Sequence, residues 1–436
     1  MLRDFKLKID NFGPLNKADL DISKINIIAG KNDSGKTTIS KLLYCIITAF
    51  SNDGEYLVYE SLKNQLSLIL NNLQIFYSEN SENINDIDEI RFEIDSDKKY
   101  NLKTIEDSFE KINSLVNSSE IENKQIFLEI IERNKREING MKNIGIYWPL
   151  LTNLIKNEFS GSEQLKNNYE TGSIEIYNDI EDNTFGYIIE IREGILVKPT
   201  TQFDKTITTN REAIYIETPY FLDYKVPFSQ FNFYEQKQYH QSLLYQKLTD
   251  QSAKSDILDE IHNEDIIKFQ NKINQLIKGS FNFNNRGLIE FKQKNKTFDL
   301  PNTSTGLKSI GILQLLLENR KLKENSYLIM DEPEVHLHPE WQVKLAEILV
   351  LLVKDLNVNL FINSHSPQFI EAIEVYSIKY GLRDETNFYL TKKDENNEKY
   401  NVEKIEYDHL YELYNNLGDP YDVIDEVRGE NIANRL

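Results

Sequence analysis

The chain has 436 residues, a formal net charge of −20, 40% hydrophobic residues and one cysteine. This length indicates two or three domain-sized units, and the single thiol excludes an internal disulfide and favours a reducing compartment. The acidic total disfavours general nucleic-acid binding, which rewards Lys and Arg, and the strongest apolar stretch, Ile348–Val353, is far shorter than the roughly 20 residues of a membrane span.

The first 50 residues predict a strand, a second strand, a loop and a helix. Leu2–Phe12 alternates charged and apolar residues, as a strand does and a signal peptide does not, so we expect a cytoplasmic location. Ala18–Ile22 alternates again, and Ile25–Ala29 is a short apolar run that stops at Gly30. Lys36–Phe50 carries apolar residues at helical spacing.

Residues 51–170 predict a mainly helical insertion. Ile105–Asn139 is rich in Glu, Lys and Ile at helical spacing, and Ile144–Ile155 predicts a further helical piece. We interpret the charged faces of these helices as solvated surface.

Strands return after the insertion. Ser173–Asn178 and Gly186–Ile191 alternate, and Ala213–Glu217 is a buried-type strand that stops before Pro219. Residues 221–279 predict a helical subdomain.

From residue 280 the pattern changes to a hairpin at Ser280–Phe291, followed by alternating helices and strands. The predicted helices are 304–319, 340–354 and 367–375, and the predicted strands are 326–330 and 358–362. This alternation implies parallel strands joined by crossover helices. The sequence thus predicts an α/β fold whose main domain combines residues 1–50 and 280–436 in two lobes, with strands contributed from 173–220.

A phosphate-binding loop separates the third predicted strand from the first predicted helix. Gly30-Lys-Asn-Asp-Ser-Gly35-Lys36-Thr37 fits the pattern G-x-x-x-x-G-K-[ST] without departure. Backbone N–H groups and the helix N terminus favour an anion here. Lys36 would reach the β- and γ-phosphates of ATP, and Thr37 would place its hydroxyl on Mg²⁺. The predicted nucleotide-binding residues of this segment are Gly30, Asn32, Ser34, Gly35, Lys36, Thr37 and Thr38.

Two carboxylates end the predicted strand at 326–330. Asp331 would hold the Mg²⁺ shell together with Thr37, and Glu332 would polarise the attacking water. His365 ends the next buried strand, where it is placed to touch the γ-phosphate. Lys36, Glu332 and His365 are therefore the predicted catalytic residues. A surface turn and a structural histidine are the alternative interpretations.

These motifs resemble the ABC-type ATPases of the RecF/SMC-like clan, and more narrowly their stand-alone or OLD-like members. The segments that carry the resemblance are Asn11-Phe-Gly-Pro, Gly30–Thr38, Thr303–Gly306, Asp331-Glu-Pro-Glu-Val-His-Leu-His-Pro339 and Ser364-His-Ser-Pro367. The resemblance implies a P-loop ATPase head of mixed antiparallel and parallel sheets with a helical insertion. It also implies Mg²⁺-dependent hydrolysis in a homodimer, or a higher homo-oligomer, that clamps two ATP molecules head to tail.

In such a dimer, a signature segment from the partner completes each site. The best candidate is Asn302–Lys308, in which Ser304 and Gly306 would donate to the opposite γ-phosphate, although it departs from the usual Leu-Ser-Gly-Gly-Gln. The alternative is an ordinary Ser/Thr helix cap. The family's Q-loop glutamine is not evident, because the equivalent strand ends at Glu217 and the nearest later glutamine is Gln230.

Some OLD-like relatives carry a C-terminal Toprim nuclease, which needs an Asp-x-Asp pair that is absent after His365. The resemblance therefore implies a sensor or regulator of a separate effector, a nuclease or toxin, as in bacterial anti-phage defence. The alternative is a DNA-repair or DNA-end-binding ATPase, for which the chain offers only a thin basic strip, so nucleic acid is not favoured. This basic strip consists of Arg133, Lys135, Arg136 and Lys142.

A transporter subunit is disfavoured by the weak signature, and no membrane partner is expected.

Overall fold

A computed structural model provides the fold of the chain. It describes residues 5–77, 84–97, 101–118, 124–144, 147–159, 171–180, 183–192, 195–197, 211–219, 222, 239–250, 263–284, 288–418 and 427.

The chain forms two compact units. The first comprises Met1–Cys45, Ile155–Phe231 and Gln236–Leu436, and the second comprises Ile46–Leu154 and Asn232–Glu235.

The first unit contains a sheet of eleven strands within the described residues. These strands are β1 (Phe5–Phe12), β2 (Leu15–Ile22), β3 (Ile25–Ala29), β4 (Gly172–Ile180), β5 (Asn183–Arg192), β6 (Ile195–Val197), β7 (Ala213–Ile216), β11 (Tyr327–Asp331), β12 (Asn359–Ser364), β13 (Thr386–Lys393) and β14 (Tyr400–Ile405). A separate antiparallel sheet contains β8 (Ser280–Phe283), β9 (Ile289–Gln293) and β10 (Lys296–Asp299).

The helices divide between the two units. Those of the first unit are α7 (Tyr239–Thr249), α8 (Asn263–Ile277), α9 (Thr305–Glu318), α10 (Pro339–Leu356) and α11 (Pro367–Lys379). Those of the second are α2 (Asn52–Tyr77), α3 (Ile84–Ser96), α4 (Leu102–Ser118) and α5 (Lys124–Ile144). Two further helices begin in one unit and end in the other, namely α1 (Lys36–Ala49) and α6 (Tyr147–Glu158).

The large sheet is mixed, as predicted. Its order is β6-β5-β4-β1-β2-β14-β13-β3-β12-β11-β7. The strands from β6 to β2 pair antiparallel, and those from β13 through β3, β12 and β11 to β7 pair parallel. Between these two regions, β14 pairs parallel with β2 and antiparallel with β13. Every residue of β3 is buried, while burial in β1 alternates. This difference is typical of a parallel region covered on both faces beside an antiparallel region that is partly solvated.

One face of the parallel region packs against α8, α9, α10 and α11 in a continuous hydrophobic core. Ile27, Met330 and Ile362 point into this core from neighbouring strands. Helix α9 is buried almost all round, from Ile310 to Leu317, because it lies inside the unit rather than on its surface. Cys45 is fully buried in α1, and burial raises the pKa of its thiol.

The second unit is a set of helices with apolar stripes. Ile105, Phe109 and Ile112 of α4 are buried, at the spacing that places them on one helix face. In the proposed basic strip on α5, Lys135 forms an ion pair with Glu110 at 2.8 Å, so part of the strip's charge is already matched. The side chain of Lys142 lies outside the described residues. Within the described part of the chain, none of the helices has the length and apolar content of a transmembrane span.

A half-buried carboxylate, Glu212, precedes β7 and gives a testable contribution to stability. It forms ion pairs with Lys247, at 2.8 Å, and with Lys323. Burial by itself would raise the pKa of Glu212, but the two lysines outweigh it and lower that pKa below 4.5. A depressed pKa in the folded state means that this contribution is complete above the unfolded-state pKa and is lost as the pH falls through the folded-state pKa.

We expect Glu212→Gln to lower the free energy of unfolding by about 1–3 kcal/mol at pH 7, because two lysines lose their charged partner. The difference from the native chain should shrink as the pH falls below 4.5, in urea unfolding followed by circular dichroism. Glu340→Gln, which removes only an exposed pair with Lys344, should leave stability unchanged. An equal effect of both substitutions would contradict this prediction.

Candidate functional site

The carboxyl ends of four parallel strands meet at one edge of the large sheet. The register pairs Asp331 with Asn363, and Ser364 with Ala29. On the other side of β11, Met330 pairs with Ile216. The residues that follow β3, β7, β11 and β12 are therefore brought together, at the position where open α/β sheets bind ligands.

A cavity of about 790 Å³ opens at this edge. It is lined by Gly13, Pro14, Asn32, Asp33, Ser34, Gly35, Lys36, Thr37, Thr38, Glu217, Asp331, Glu332 and Asn363. Its volume lies in the range of small-molecule and cofactor sites. All of the predicted phosphate-loop residues line it except Gly30, whose carbonyl oxygen accepts a hydrogen bond from Lys36.

The loop between β3 and α1 has the geometry that its sequence predicts. Gly35 has φ of 90°, which side chains rarely tolerate, and a Cβ there would lie 2.6 Å from a Leu15 methyl group. The Lys36 ammonium is buried and donates to the carbonyl oxygens of Gly30 and Lys31, at 2.9 and 2.7 Å. Burial lowers the pKa of Lys36, and the nearby Glu332 carboxylate opposes that shift. The lysine thus lies across the loop, held by two of its carbonyl oxygens, and its positive charge there suits an anion.

The three predicted catalytic side chains lie in one row. Glu332 Oε1 is 4.0 Å from Lys36 Nζ and 2.9 Å from His365 Nδ1. Contact with His365 lowers the pKa of Glu332, and contact with Glu332 raises the pKa of His365, in both cases against burial. The backbone of Glu332 adopts φ of 46°, an uncommon conformation for a residue with a side chain. The structure therefore brings Lys36, Glu332 and His365 together, although they are far apart in sequence.

Asp331 is held in place by side chains from two strands. Tyr215 donates to its Oδ2 at 2.9 Å, and Asn363 donates to its Oδ1 at 2.6 Å. Asn363 also donates to Ser40 of α1, at 2.7 Å. Burial raises the pKa of Asp331, although hydrogen bonds from Thr37, Ser40 and Tyr215 oppose the change. The predicted metal ligands Thr37 and Asp331 are therefore in contact.

This donor set fits Mg²⁺. No cluster of three or more His, Cys, Asp or Glu side chains suited to a metal occurs in the residues that the structure describes. Mg²⁺ typically uses one or two carboxylates and takes the rest of its shell from phosphates and water. Asp331 and the Thr37 hydroxyl could hold such an ion beside a bound phosphate.

Sequence reasoning assigned no role to three polar side chains that line the cavity, Asp33, Glu217 and Asn363. Glu217 follows β7, and its Oε1 lies 2.6 Å from Lys41 Nζ. Burial by itself would raise the pKa of Glu217, but His240 and Lys41 lower that pKa to about 2. For Glu217, the only signal in the sequence was a polar residue at the end of a predicted strand. Gln230, the nearest later glutamine, lies outside the described residues.

The predicted signature residues do not line the cavity of their own chain. Ser304 is exposed at the N-cap position of α9, and its side chain makes no capping hydrogen bond. Gly306 packs against the loop after β11, because a Cβ there would lie 2.7 Å from Leu337 and 3.0 Å from the His336 carbonyl oxygen. The segment is thus fixed to that loop, and the Ser304 hydroxyl does not cap the helix.

The loop after β11 is fixed from several sides. Ser364 donates to the buried carboxylate of Glu334. His338 caps α10 by accepting from the Glu340 backbone N–H at 3.3 Å, and Pro339 occupies the first helical position, where its missing N–H is not needed. His338 therefore has a structural role at the start of α10.

A Gly-rich phosphate loop, a paired Asp-Glu at the end of the neighbouring strand and a histidine one strand further on define a P-loop ATPase head. Comparison with known families supports this class directly. The chain belongs to the AAA ATPase domain family, whose sequence model matches residues 5–370. The match confirms the predicted P-loop ATPase class.

Solved structures of SMC heads align over most of the chain. The SMC head domain from Thermotoga maritima has 11% identity and a TM-score of 0.39, covering 93% of this chain and 99% of that chain. An SmcHead bound to the C-winged helix domain of ScpA has 12% identity and a TM-score of 0.45, covering 93% and 98%. An Smc head with an extended coiled coil, bound to the C-terminal domain of ScpA derived from Pyrococcus furiosus, has 10% identity and a TM-score of 0.39, covering 97% and 98%. No curated protein matches the chain significantly.

Proposed function

We propose that the protein is a Mg²⁺-dependent ATPase whose two copies close head to tail on two ATP molecules. The observation that carries the proposal is a one-sided site. Lys36 and Glu332 line the cavity, with His365 against Glu332, whereas neither Ser304 nor Gly306 lines the cavity or contacts these side chains. A second copy would bring its own Ser304 and Gly306 to the open side.

The residues at the cavity have distinct roles in this proposal. Lys36 and the backbone N–H groups of its loop bind the β- and γ-phosphates, and Thr37 and Asp331 hold Mg²⁺, which neutralises charge on the phosphates. Glu332 orients the attacking water and accepts its proton. His365 keeps Glu332 ionised and in position, and donates toward the γ-phosphate.

A mixing experiment tests the clamp. Lys36→Ala destroys the phosphate side of a site, and Ser304→Arg destroys the side donated by the partner. Each variant alone should be inactive, whereas a mixed dimer has one site in which both sides are intact. An equal mixture should recover roughly a quarter of the native ATPase rate, since about half of the dimers are mixed and each has one working site of two.

Phosphate release measured on the two variants and on their mixture gives the result. The control is an equal mixture of native protein with the double variant Lys36→Ala/Ser304→Arg, whose mixed dimers contain no intact site. Its rate should fall to roughly a quarter of the native value, whereas heads that work alone would keep about half. No recovery in the first mixture, or full activity of Ser304→Arg alone, would contradict the head-to-tail arrangement.

We further propose that the ATPase acts in the cytoplasm as a sensor or regulator of a separate effector, a nuclease or toxin, in bacterial anti-phage defence. The resemblance to stand-alone ATPase subunits supports this role. Cells that express the chain with its neighbouring genes should resist phage, and Lys36→Ala should remove that resistance. Tight ATP-dependent binding to duplex DNA in an electrophoretic shift at low salt would favour the DNA-end alternative instead.

A further inference from the structure

A buried histidine, His240, lies behind the nucleotide cavity without lining it. It is the second residue of α7 and is 1% exposed. Its Nδ1 lies 2.6 Å from Glu158 Oε2, and its backbone N–H donates to Glu158 Oε1 at 3.0 Å. Glu158, the last residue of α6, is also buried. One carboxylate thus fixes both the ring and the backbone of the histidine.

The other side of the His240 ring faces the cavity carboxylates. Its Nε2 lies 3.3 Å from Glu217 Oε2, and its ring contacts that of Tyr215 in a tilted arrangement, with centroids 4.6 Å apart. Tyr215 in turn donates to Asp331 at 2.9 Å. His240 therefore contacts Glu217 directly and supports the side chain that holds Asp331.

The charges around Glu217 converge from three helices. Lys41 of α1 binds one carboxylate oxygen, and His240 of α7 faces the other, with Glu158 of α6 behind it. Ion pairs with this little access to water cost desolvation energy, and hydrophobic side chains in the same place would not. A purely structural role therefore explains these charges less well than a role at the site does. Each carboxylate oxygen has more than one lone pair, and Glu217 lines the cavity, so it can still accept from a ligand.

We propose that His240, anchored by Glu158, is a positioning residue that holds the Glu217 carboxylate beside Asp331, so that Glu217 supports the divalent cation of the bound nucleotide. The inference rests on the proposed binding of a magnesium nucleotide, but it does not need hydrolysis or dimer closure. It assigns Glu217 as the second carboxylate toward that cation, and His240 as the group that orients it. Partners of this kind behind metal ligands typically set metal affinity by about 10–100-fold.

The test is metal binding by His240→Gln and Glu158→Gln. Mn²⁺ replaces Mg²⁺, and electron paramagnetic resonance measures free Mn²⁺ in the presence of a non-hydrolysable ATP analogue. Both variants should bind Mn²⁺ at least about tenfold more weakly in the presence of the analogue. Their affinity for a fluorescent analogue in EDTA should stay within about twofold of the native value, because the phosphate loop is untouched.

The matched control is His409→Gln, which replaces an exposed histidine paired with Glu412 and should change neither affinity. Unchanged Mn²⁺ affinity in both variants would overturn the proposal, and so would an equal loss of analogue binding in EDTA, which would indicate a structural role only. If the variants fail to fold by circular dichroism, Glu217→Gln tests the same carboxylate directly, and native Mn²⁺ affinity in that variant would also overturn the proposal. If only the proposed clamp is wrong, the unsubstituted chain should still bind Mn²⁺ in the presence of the analogue but should not hydrolyse ATP.

Discussion

Glu332→Gln is expected to slow ATP hydrolysis by about 10²–10⁴-fold while ATP binding is kept, because glutamine retains the size of the side chain but cannot accept a proton. Glu332 contacts both Lys36 and His365, so no other described carboxylate has the same relation to the phosphate loop. The variant should remain closed on its nucleotide. Phosphate release measures the rate, and size-exclusion chromatography with light scattering, with and without Mg²⁺-ATP, measures the dimer.

Two results would contradict this prediction. A Glu332→Gln protein that stays monomeric with Mg²⁺-ATP would count against the clamp, and one that hydrolyses ATP at the native rate would remove Glu332 from catalysis. Glu340→Gln is the control for charge, since Glu340 is an exposed residue of α10 paired with Lys344. It should hydrolyse ATP normally and dissociate after turnover.

Lys36→Ala should remove nucleotide binding or hydrolysis, with a loss of at least about 10²–10³-fold in rate. The buried ammonium lies 4.0 Å from Glu332, and its present acceptors are the carbonyl oxygens of the loop itself. Without the ammonium, the loop loses the charge that a triphosphate requires. Fluorescent-nucleotide titration and phosphate release measure the two effects.

The control for Lys36→Ala is Lys393→Ala, which changes an exposed lysine that pairs with Glu398. Retained full activity in Lys36→Ala would refute the site as a whole. Loss of binding in both variants would instead point to a general effect of net charge.

The sequence predicted the phosphate loop and the Asp-Glu strand end because both are local. Gly30–Thr37 is a continuous pattern in which each residue type has a separate physical reason. Asp331 and Glu332 follow a short run of apolar residues, which favours a buried strand. Their convergence with His365 could also be predicted, since parallel strands end at the same edge of a sheet.

The rest of the site depends on pairings that no local pattern contains. Asn363 was hidden inside an apolar strand, and its contacts with Asp331 and Ser40 require the register of β11 and β12 and the position of α1. Glu158 and His240 come from segments that predicted only helix. From the sequence alone, a charged residue on a predicted helix is assigned to the solvated surface, and only the fold shows that it is buried.

Two strands near the C terminus were also missed. β13 pairs parallel with β3, the strand that leads to the phosphate loop, and β14 joins β13 to β2. In β14 only Val402 and Ile405 are buried, so the strand carries too few apolar residues to give a periodic signal. The strands that join the antiparallel and parallel regions of the sheet could therefore not be assigned from the sequence.

The lone thiol of the chain makes the closing motion accessible to spectroscopy. Maleimides and methanethiosulfonates attack the thiolate, and Cys45 is both fully buried and held protonated, so the native chain should label very slowly. Glu340→Cys would then give one rapidly modified position per copy on an exposed helix. A nitroxide or dye pair attached there would report the separation of two copies as nucleotide arrives and leaves, with no native cysteine to replace first.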